Sequence, residues 1–216
     1  MRLHSPAILL TIAALALGAA ACGDDDDATS SSAAKPEPVA QVDQLSGEST
    51  AVTLDAGFAG ALQSLKLTPA PVGDASISKA GVASFPITGG NVKYYKPGSV
   101  SPFVQGEIDH DGAGLSLTGG GKKVELTDFV VDPGASLLTG KVSVDGKVAA
   151  ESAPLFFLDG RTLKPLEAND DGTAVLEGTT VKLKAEAAQL LNDTFGVDAL
   201  TEGLVIGIAK ITVNTA

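Results

Sequence analysis

Apolar and polar residues alternate along most of this chain in short runs, and glycine-rich turns separate the runs. The stretch VQGEIDHDGAGLSLTGGGKKVELTDFVVD, from Val104 to Asp132, shows the pattern most fully. Phe103–Ile108 reads as a strand and Asp109-His110-Asp111-Gly112 as a turn. Leu115 and Leu117 then alternate with serine and threonine, as one face of a strand requires. Gly119-Gly120-Gly121 turns again, and Val124, Leu126 and Phe129-Val130-Val131 form a third strand that Asp132-Pro133-Gly134 breaks. Downstream, Leu137–Val144 and Lys147–Ala150 flank Asp145-Gly146, a pair that tolerates the positive φ of a type I′ hairpin. Leu155–Leu158 is a continuous apolar run, expected as a deeply buried strand, and Asp159-Gly160 closes it. Asp171-Gly172 precedes another strand at Thr180–Leu183. Upstream, Val82–Ile87 is strand-like, with Pro86 predicting an edge or a bulge. Gly89-Gly90 turns the chain back into Val92–Tyr95. Tyr94 and Tyr95 are adjacent, so they point to opposite faces: one is expected buried, the other exposed or facing a cavity.

Two segments follow helical spacing instead. Leu54, Phe58, Leu62 and Leu65 share one helical face, with Thr53 as N-cap and Asp55 in the first turn. Gly57 and Gly60 each weaken that helix by about 1 kcal/mol, and Pro69 and Pro71 bar its continuation. Ala187, Leu190, Leu191 and Phe195 form the second helix, with Gly196 placed to end it. Leu204–Val213, rich in β-branched residues, closes the chain as an interior strand in which Gly207 permits a close approach or a bulge. The expectation is an all-β domain, a mainly antiparallel β-sandwich or partly open barrel, with two short helices and no repeat of fixed period.

The first 21 residues read as an export signal. Arg2 and His4 precede an apolar stretch, Ala7–Leu17, too short for a stable membrane span. Gly18-Ala19-Ala20-Ala21-Cys22 follows and resembles the lipobox of bacterial lipoproteins, in which the cysteine is acylated and the leader cut before it. Cys22 is the single cysteine of the chain. An exported protein seldom keeps a lone thiol without a use, so lipidation at Cys22 is favoured over an ordinary secretory leader. Residues 22–50 carry four consecutive aspartates, Asp24–Asp27, directly after Cys22-Gly23 and continue rich in Ser, Ala, Pro and Glu, with too little apolar surface to fold. They predict an acidic tether with a reach on the order of 30 Å, leaving 51–216 as one domain on the outer face of the cytoplasmic membrane.

Composition narrows the chemistry. A formal charge of −11 argues against a nucleic-acid partner, whose phosphates require a basic patch. Outside the leader there is one histidine, His110, so His/Cys metal centres and Cys-His nucleophiles are unsupported. No G-x-S-x-G elbow accompanies it. The run from Asp109 lacks the ligand spacing of a calcium loop, since Ala113 and Gly120 fall where ligands belong. The Gly119–Gly121 run is followed by Lys122-Lys123 and strand residues, not by the Lys-Ser/Thr and helix of a phosphate loop. His110 keeps two readings. It is an exposed turn residue whose charged form the flanking aspartates favour, or a hydrogen-bonding group at a pocket mouth.

The order G-x-I-x-H-x-G-A-G-L-S-L, with a strand ending Asp-Phe-Val-Val-Asp and a leucine-threonine-glycine strand after it, resembles the HtaA type of bacterial surface domain. The helix and terminal strand at the chain's end are similar to that family too, and the likeness spans roughly Ala51 to Val213. The resemblance implies a β-rich fold and haem capture, with a tyrosine on the iron and a histidine assisting. His110 matches the histidine. Val52–Leu65, where that family's ligand tyrosine falls, holds neither tyrosine nor tryptophan. Phe156 and Phe157 offer apolar walls, and His110 with one of Tyr94 or Tyr95 offers polar groups at a rim. The leading expectation is a non-catalytic, lipid-anchored surface binding module. A haem-binding version is the alternative, and an envelope hydrolase ranks last.

Overall fold

A computed structural model describes residues 36–215; the leader and Cys22 lie outside the described residues. The strands are β1 (Ala40–Val42), β2 (Glu48–Leu54), β3 (Thr68–Gly73), β4 (Ser76–Ile77), β5 (Val82–Pro86), β6 (Gly89–Tyr94) and β7 (Val104–Gly119). They continue as β8 (Lys122–Asp132), β9 (Leu137–Val144), β10 (Lys147–Asp159), β11 (Glu167–Ala168), β12 (Thr173–Leu183) and β13 (Val205–Asn214). Helices α1 (Ala56–Ser64) and α2 (Ala185–Phe195) follow β2 and β12. All pairings are antiparallel, in the order β1-β6-β7-β8-β9-β10-β12-β13-β2-β5-β4, with β3 beside the second half of β7 and β11 beside β12. The sheet is single and curls into a half-barrel, so of the two expected architectures the open barrel holds and the sandwich does not.

The expected turns at Gly120-Gly121 and Asp145-Gly146 are two-residue hairpins. Their φ values of 56° and 78°, and of 50° and 77°, lie in the left-handed region those residue types tolerate. The turn expected at Asp109–Gly112 is not one. β7 runs unbroken through it, and the ladder with β8 shifts between His110 and Gly114. His110 pairs with Phe129 and Gly114 with Thr127, so three residues of β7 face one of β8. This bulge absorbs the polar Asp-Gly pair, and Asp128 Oδ1 accepts the Gly112 N–H at 2.9 Å. It also flips the alternation, so that Ile108 and His110 before it and Leu115 and Leu117 after it all face the concave side.

Three other expectations change. Asp55, not Thr53, caps α1: its carboxylate accepts the Gly57 and Phe58 N–H groups at 2.8 and 3.2 Å. Thr53 instead continues β2, which pairs with β13 as far as Leu54 opposite Gly207. The run Leu155–Leu158 is not buried throughout. A register shift between Pro154 and Phe156 turns both Leu155 and Phe156 inward, and the next residue, Phe157, is 43% exposed. Finally, ordered structure precedes Ala51: β1 pairs with β6, Leu45 is 2% exposed, and β2 begins at Glu48. The acidic, small-residue composition hides this segment, whose fully buried apolar side chain before Ala51 is Leu45, between β1 and β2.

At Gly207 the expected close approach is present, since a Cβ there would stand 2.2 Å from the Thr53 carbonyl oxygen. Gly196 ends α2 at φ 65°, as expected. The two helices pack at one end of the half-barrel, where Leu62, Leu191 and Leu200 join Phe156, Leu183 and Ile206 in one core. Ile108, Val131, Ala174 and Val213 form a second cluster with Leu45 and Ile87. Among the described residues no helix is long and apolar enough to cross a membrane.

Candidate functional site

The helices fill one end of the half-barrel. The other end is where β6 and β8 finish, β7 and β9 begin and β10 finishes, and there the concave face opens as a cavity of about 630 Å³. Strand alternation makes its walls. Val52 and Leu54 of β2, Ala83 and Phe85 of β5, Phe129 and Val131 of β8, and Ala209 and Ile211 of β13 all point inward. Tyr94, Ser101–Val104, Pro133, Ser136 and Asp159–Arg161 line it where those strands end, and so form its mouth. Phe156 faces it as expected of an apolar wall, whereas Phe157 borders it but is 43% exposed.

His110 is not the exposed turn residue of the first reading. It lines the cavity at 1% exposure, pointing across the curl from β7 to β2 and β5. Its Nδ1 lies 2.8 Å from the Pro86 carbonyl oxygen, which can only accept, so Nδ1 carries the proton. Nε2 is then the acceptor for the Thr50 hydroxyl at 3.2 Å. Phe85 stands edge-on to the imidazole, with ring centroids 6.3 Å apart, and edge-on to Phe129 at 5.3 Å. Burial lowers the histidine's pKa, against the smaller raising effects of the Pro86 carbonyl and of Asp109 and Asp111. Desolvation of the imidazolium outweighs the flanking aspartates, so the ring is neutral at pH 7.

The tyrosines divide as their adjacency requires. Tyr94 is half-buried, lines the cavity and packs edge-on against Phe103 at 5.7 Å. Tyr95 is buried away from it, its N–H donating to the Phe103 carbonyl at 2.7 Å. The structure thus brings His110 and Tyr94 to one cavity and leaves Tyr95 out. The tyrosines are not what His110 bonds: its hydroxyl partner is Thr50. Thr50 carried no signal in the sequence beyond its place in an alternating run.

A charged group at the mouth was also missed, because Asp159-Gly160 reads simply as a turn. The Asp159 carboxylate receives Arg161 through Nε and Nη2 at 2.9 and 2.6 Å, and Lys182 Nζ at 2.7 Å. The hydrogen bonds from Arg161 and then Lys182 hold its pKa far below the usual carboxylate range. Among the described residues no cluster of three His, Cys, Asp or Glu side chains is placed to hold a metal ion.

The fold is that of a solved structure, the C-terminal domain of HtaA from Corynebacterium glutamicum. The two align with a TM-score of 0.56 and 14% identity over 79% of this chain and 98% of that one. A domain-swapped dimer of a histidine-to-alanine variant of the same domain aligns with a TM-score of 0.46 and 13% identity, over 74% and 92%. At these identities the likeness is one of fold. No family model matches the chain, and no curated protein matches it.

Proposed function

We propose that this protein is a cell-surface binding module, held to the membrane by a lipid on Cys22, that takes an apolar ligand into the half-barrel without transforming it. The observation that carries the reading is the cavity: about 630 Å³, walled by aliphatic and aromatic side chains, open at one end. That volume lies within the range of roughly 300–1,000 Å³ common to small-molecule sites. Both nitrogens of His110 are committed within the protein, which makes it a brace for the wall rather than an acid, base or ligand. The test is a neutral apolar dye such as Nile red, whose emission brightens on leaving water. The parent chain should bind it, and Val104→Trp, which puts an indole at the mouth beside Tyr94, should weaken binding at least tenfold with the far-UV spectrum preserved. Absence of binding by the parent removes the reading.

A second reading, haem, is favoured by the shared fold and by Tyr94, whose phenol lines the cavity and as a phenolate can hold ferric iron. Added haem should then give a shifted Soret band that Tyr94→Phe abolishes and Tyr95→Phe leaves. A parent chain with no shift excludes haem.

A further inference from the structure

We infer that the cavity takes an uncharged ligand whose apolar body carries a hydroxyl or carbonyl group, held by hydrogen bonds to hydroxyls at the mouth; this deepens the binding-module reading above and rests on it. Among the described residues, no unpaired charge is turned into the cavity. The charged residues that border it are Lys93, Asp159, Arg161 and Lys182. Lys93 stands between Val92 and Tyr94, which face the cavity, and Lys182 stands between the buried Val181 and Leu183. Strand alternation therefore turns both lysines to the convex side. Lys182 Nζ binds Asp159 there at 2.7 Å, and Arg161, whose side chain is 83% exposed, binds the same carboxylate. Deeper in the wall, both nitrogens of His110 are spent on Pro86 and Thr50, and burial favours the uncharged ring. An ionised group drawn into these walls would lose its water and meet no counter-charge.

Hydroxyls are what the wall does offer. Tyr94 is two residues from Val92 on the inward face of β6, where that strand ends. Thr179 is two residues from Val181 and opposite Ala209, which both face the cavity, so it lies on the concave side of β12. It adjoins Thr180, which pairs with Asp159 at the end of β10, and this sets it towards the mouth. Ser136 lines the mouth from the turn between β8 and β9. None of these three hydroxyls bonds to another group among the described residues, and no buried side-chain oxygen there lacks a partner, so the three oxygens are accessible. A hydroxyl both donates and accepts, which suits an alcohol or a carbonyl oxygen and asks for no charge. The ligand's polar group then sits among β6, β12 and the β8–β9 turn, with its apolar body in the walls below.

The full chain carrying Cys22→Ser, which has no lipid of its own to take up the probe, tests this with diphenylhexatriene, a hydrocarbon dye that brightens on leaving water. Decanol, decanoate and decylammonium compete for the bound dye at pH 7.5. Decanol should displace it at about tenfold lower concentration than either ion, because only the ions bring a charge that finds no partner. Either ion proving as effective as decanol overturns the uncharged ligand and leaves the cavity reading intact. The hydrogen bond is read as the ratio of decanol affinity to dye affinity. A damaged cavity weakens both affinities, whereas a lost hydroxyl weakens only that for decanol, since the dye has no polar atom. The double variant Tyr94→Phe/Thr179→Val should lower the ratio roughly 2–10-fold, the worth of one hydrogen bond. Tyr95→Phe, outside the cavity, should leave it where it was. A ratio that the double variant does not move overturns the hydrogen-bonded head. A parent chain that binds no dye overturns the cavity reading itself, and this inference with it.

Discussion

The neutral, buried His110 makes a defined demand on the pH dependence of stability. Its folded pKa is lowered by burial below the ordinary value near 6.5 that it regains on unfolding. The unfolded chain therefore binds a proton first as pH falls. Stability is full above about pH 6.5, declines as pH drops below it, and levels off only below the folded pKa. One group changes stability by at most about 1.4 kcal/mol per pH unit, so the loss between pH 7.5 and 5.5 is at most about 1.4 kcal/mol. For a domain of this size that is a fall of about 3–6 °C in Tm. The neighbours that face the ring from β2, β5 and β8 are Thr50, Phe85, Pro86 and Phe129, none of which titrates here, and the flanking carboxylates are Asp109 and Asp111. The carboxylates with lowered pKa, Asp145, Asp159, Asp171 and Glu177, lose their contributions at lower pH, below about 4. Urea unfolding at pH 7.5, 6.5 and 5.5 separates the two windows. His110→Gln keeps a donor for the Pro86 carbonyl and lacks the titration, so its curve should be flat over that range although its stability is lower throughout. A parent curve as flat as the variant's, or a variant as steep as the parent, would refute the neutral-histidine argument.

Leu45→Ala empties a site in the second core cluster and should cost about 2–5 kcal/mol by denaturant unfolding, the range for a buried leucine. A loss under 1 kcal/mol would show that residues before Glu48 do not belong to the folded unit. Thr50→Tyr puts a phenol against His110 Nε2, the pairing that the sequence resemblance implies for haem; it should confer a haem Soret shift that the parent lacks or strengthen one that it has. No change in the haem titration on that substitution counts against the cavity as a haem-shaped site. Cys22→Ser should move the protein from the membrane fraction to the soluble exported fraction, and persistence at the membrane would contradict the lipid anchor.

The central hairpins were legible because each carried its own local signal, whereas Gly89-Gly90, expected to turn β5 back onto β6, lies inside β6, which pairs with β1 and β7 instead. Gly120-Gly121 and Asp145-Gly146 announce left-handed turns, Gly196 announces a helix end, and alternation names the buried face. What stayed hidden is what depends on contacts far apart in the chain. An Asp-Gly pair signals a left-handed residue but not its setting, and at Asp111-Gly112 that setting is a bulge inside β7 rather than a hairpin. The misplaced cap has a similar origin. Thr53 and Asp55 are both good caps by residue type, and pairing of Thr53 with Ile208 of β13 decides between them. The tyrosine pair shows the limit most plainly: adjacency requires opposite faces, but only the curl of the whole sheet determines that Tyr94 is the one at the cavity.

The same reasoning explains why His110 was the hardest residue to place. Its neighbours in sequence, Asp109 and Asp111, argue for solvent, while its neighbours in space are Thr50, Phe85, Pro86 and Phe129. A strand resolves that conflict, because odd and even positions face opposite sides, so two aspartates can stay outward while the residue between them goes in. Burial is tolerable only because both ring nitrogens find partners, one on β5 and one on β2. Those strands lie near the far end of the sheet order from β7, so the two hydrogen bonds tie the edges of the curl across the cavity. A leucine at this position would match the apolar wall but leave the Pro86 carbonyl and the Thr50 hydroxyl unpaired, at about 1–3 kcal/mol each. The histidine is thus best understood as a closure for the half-barrel, and the cavity is the space that this closure holds open.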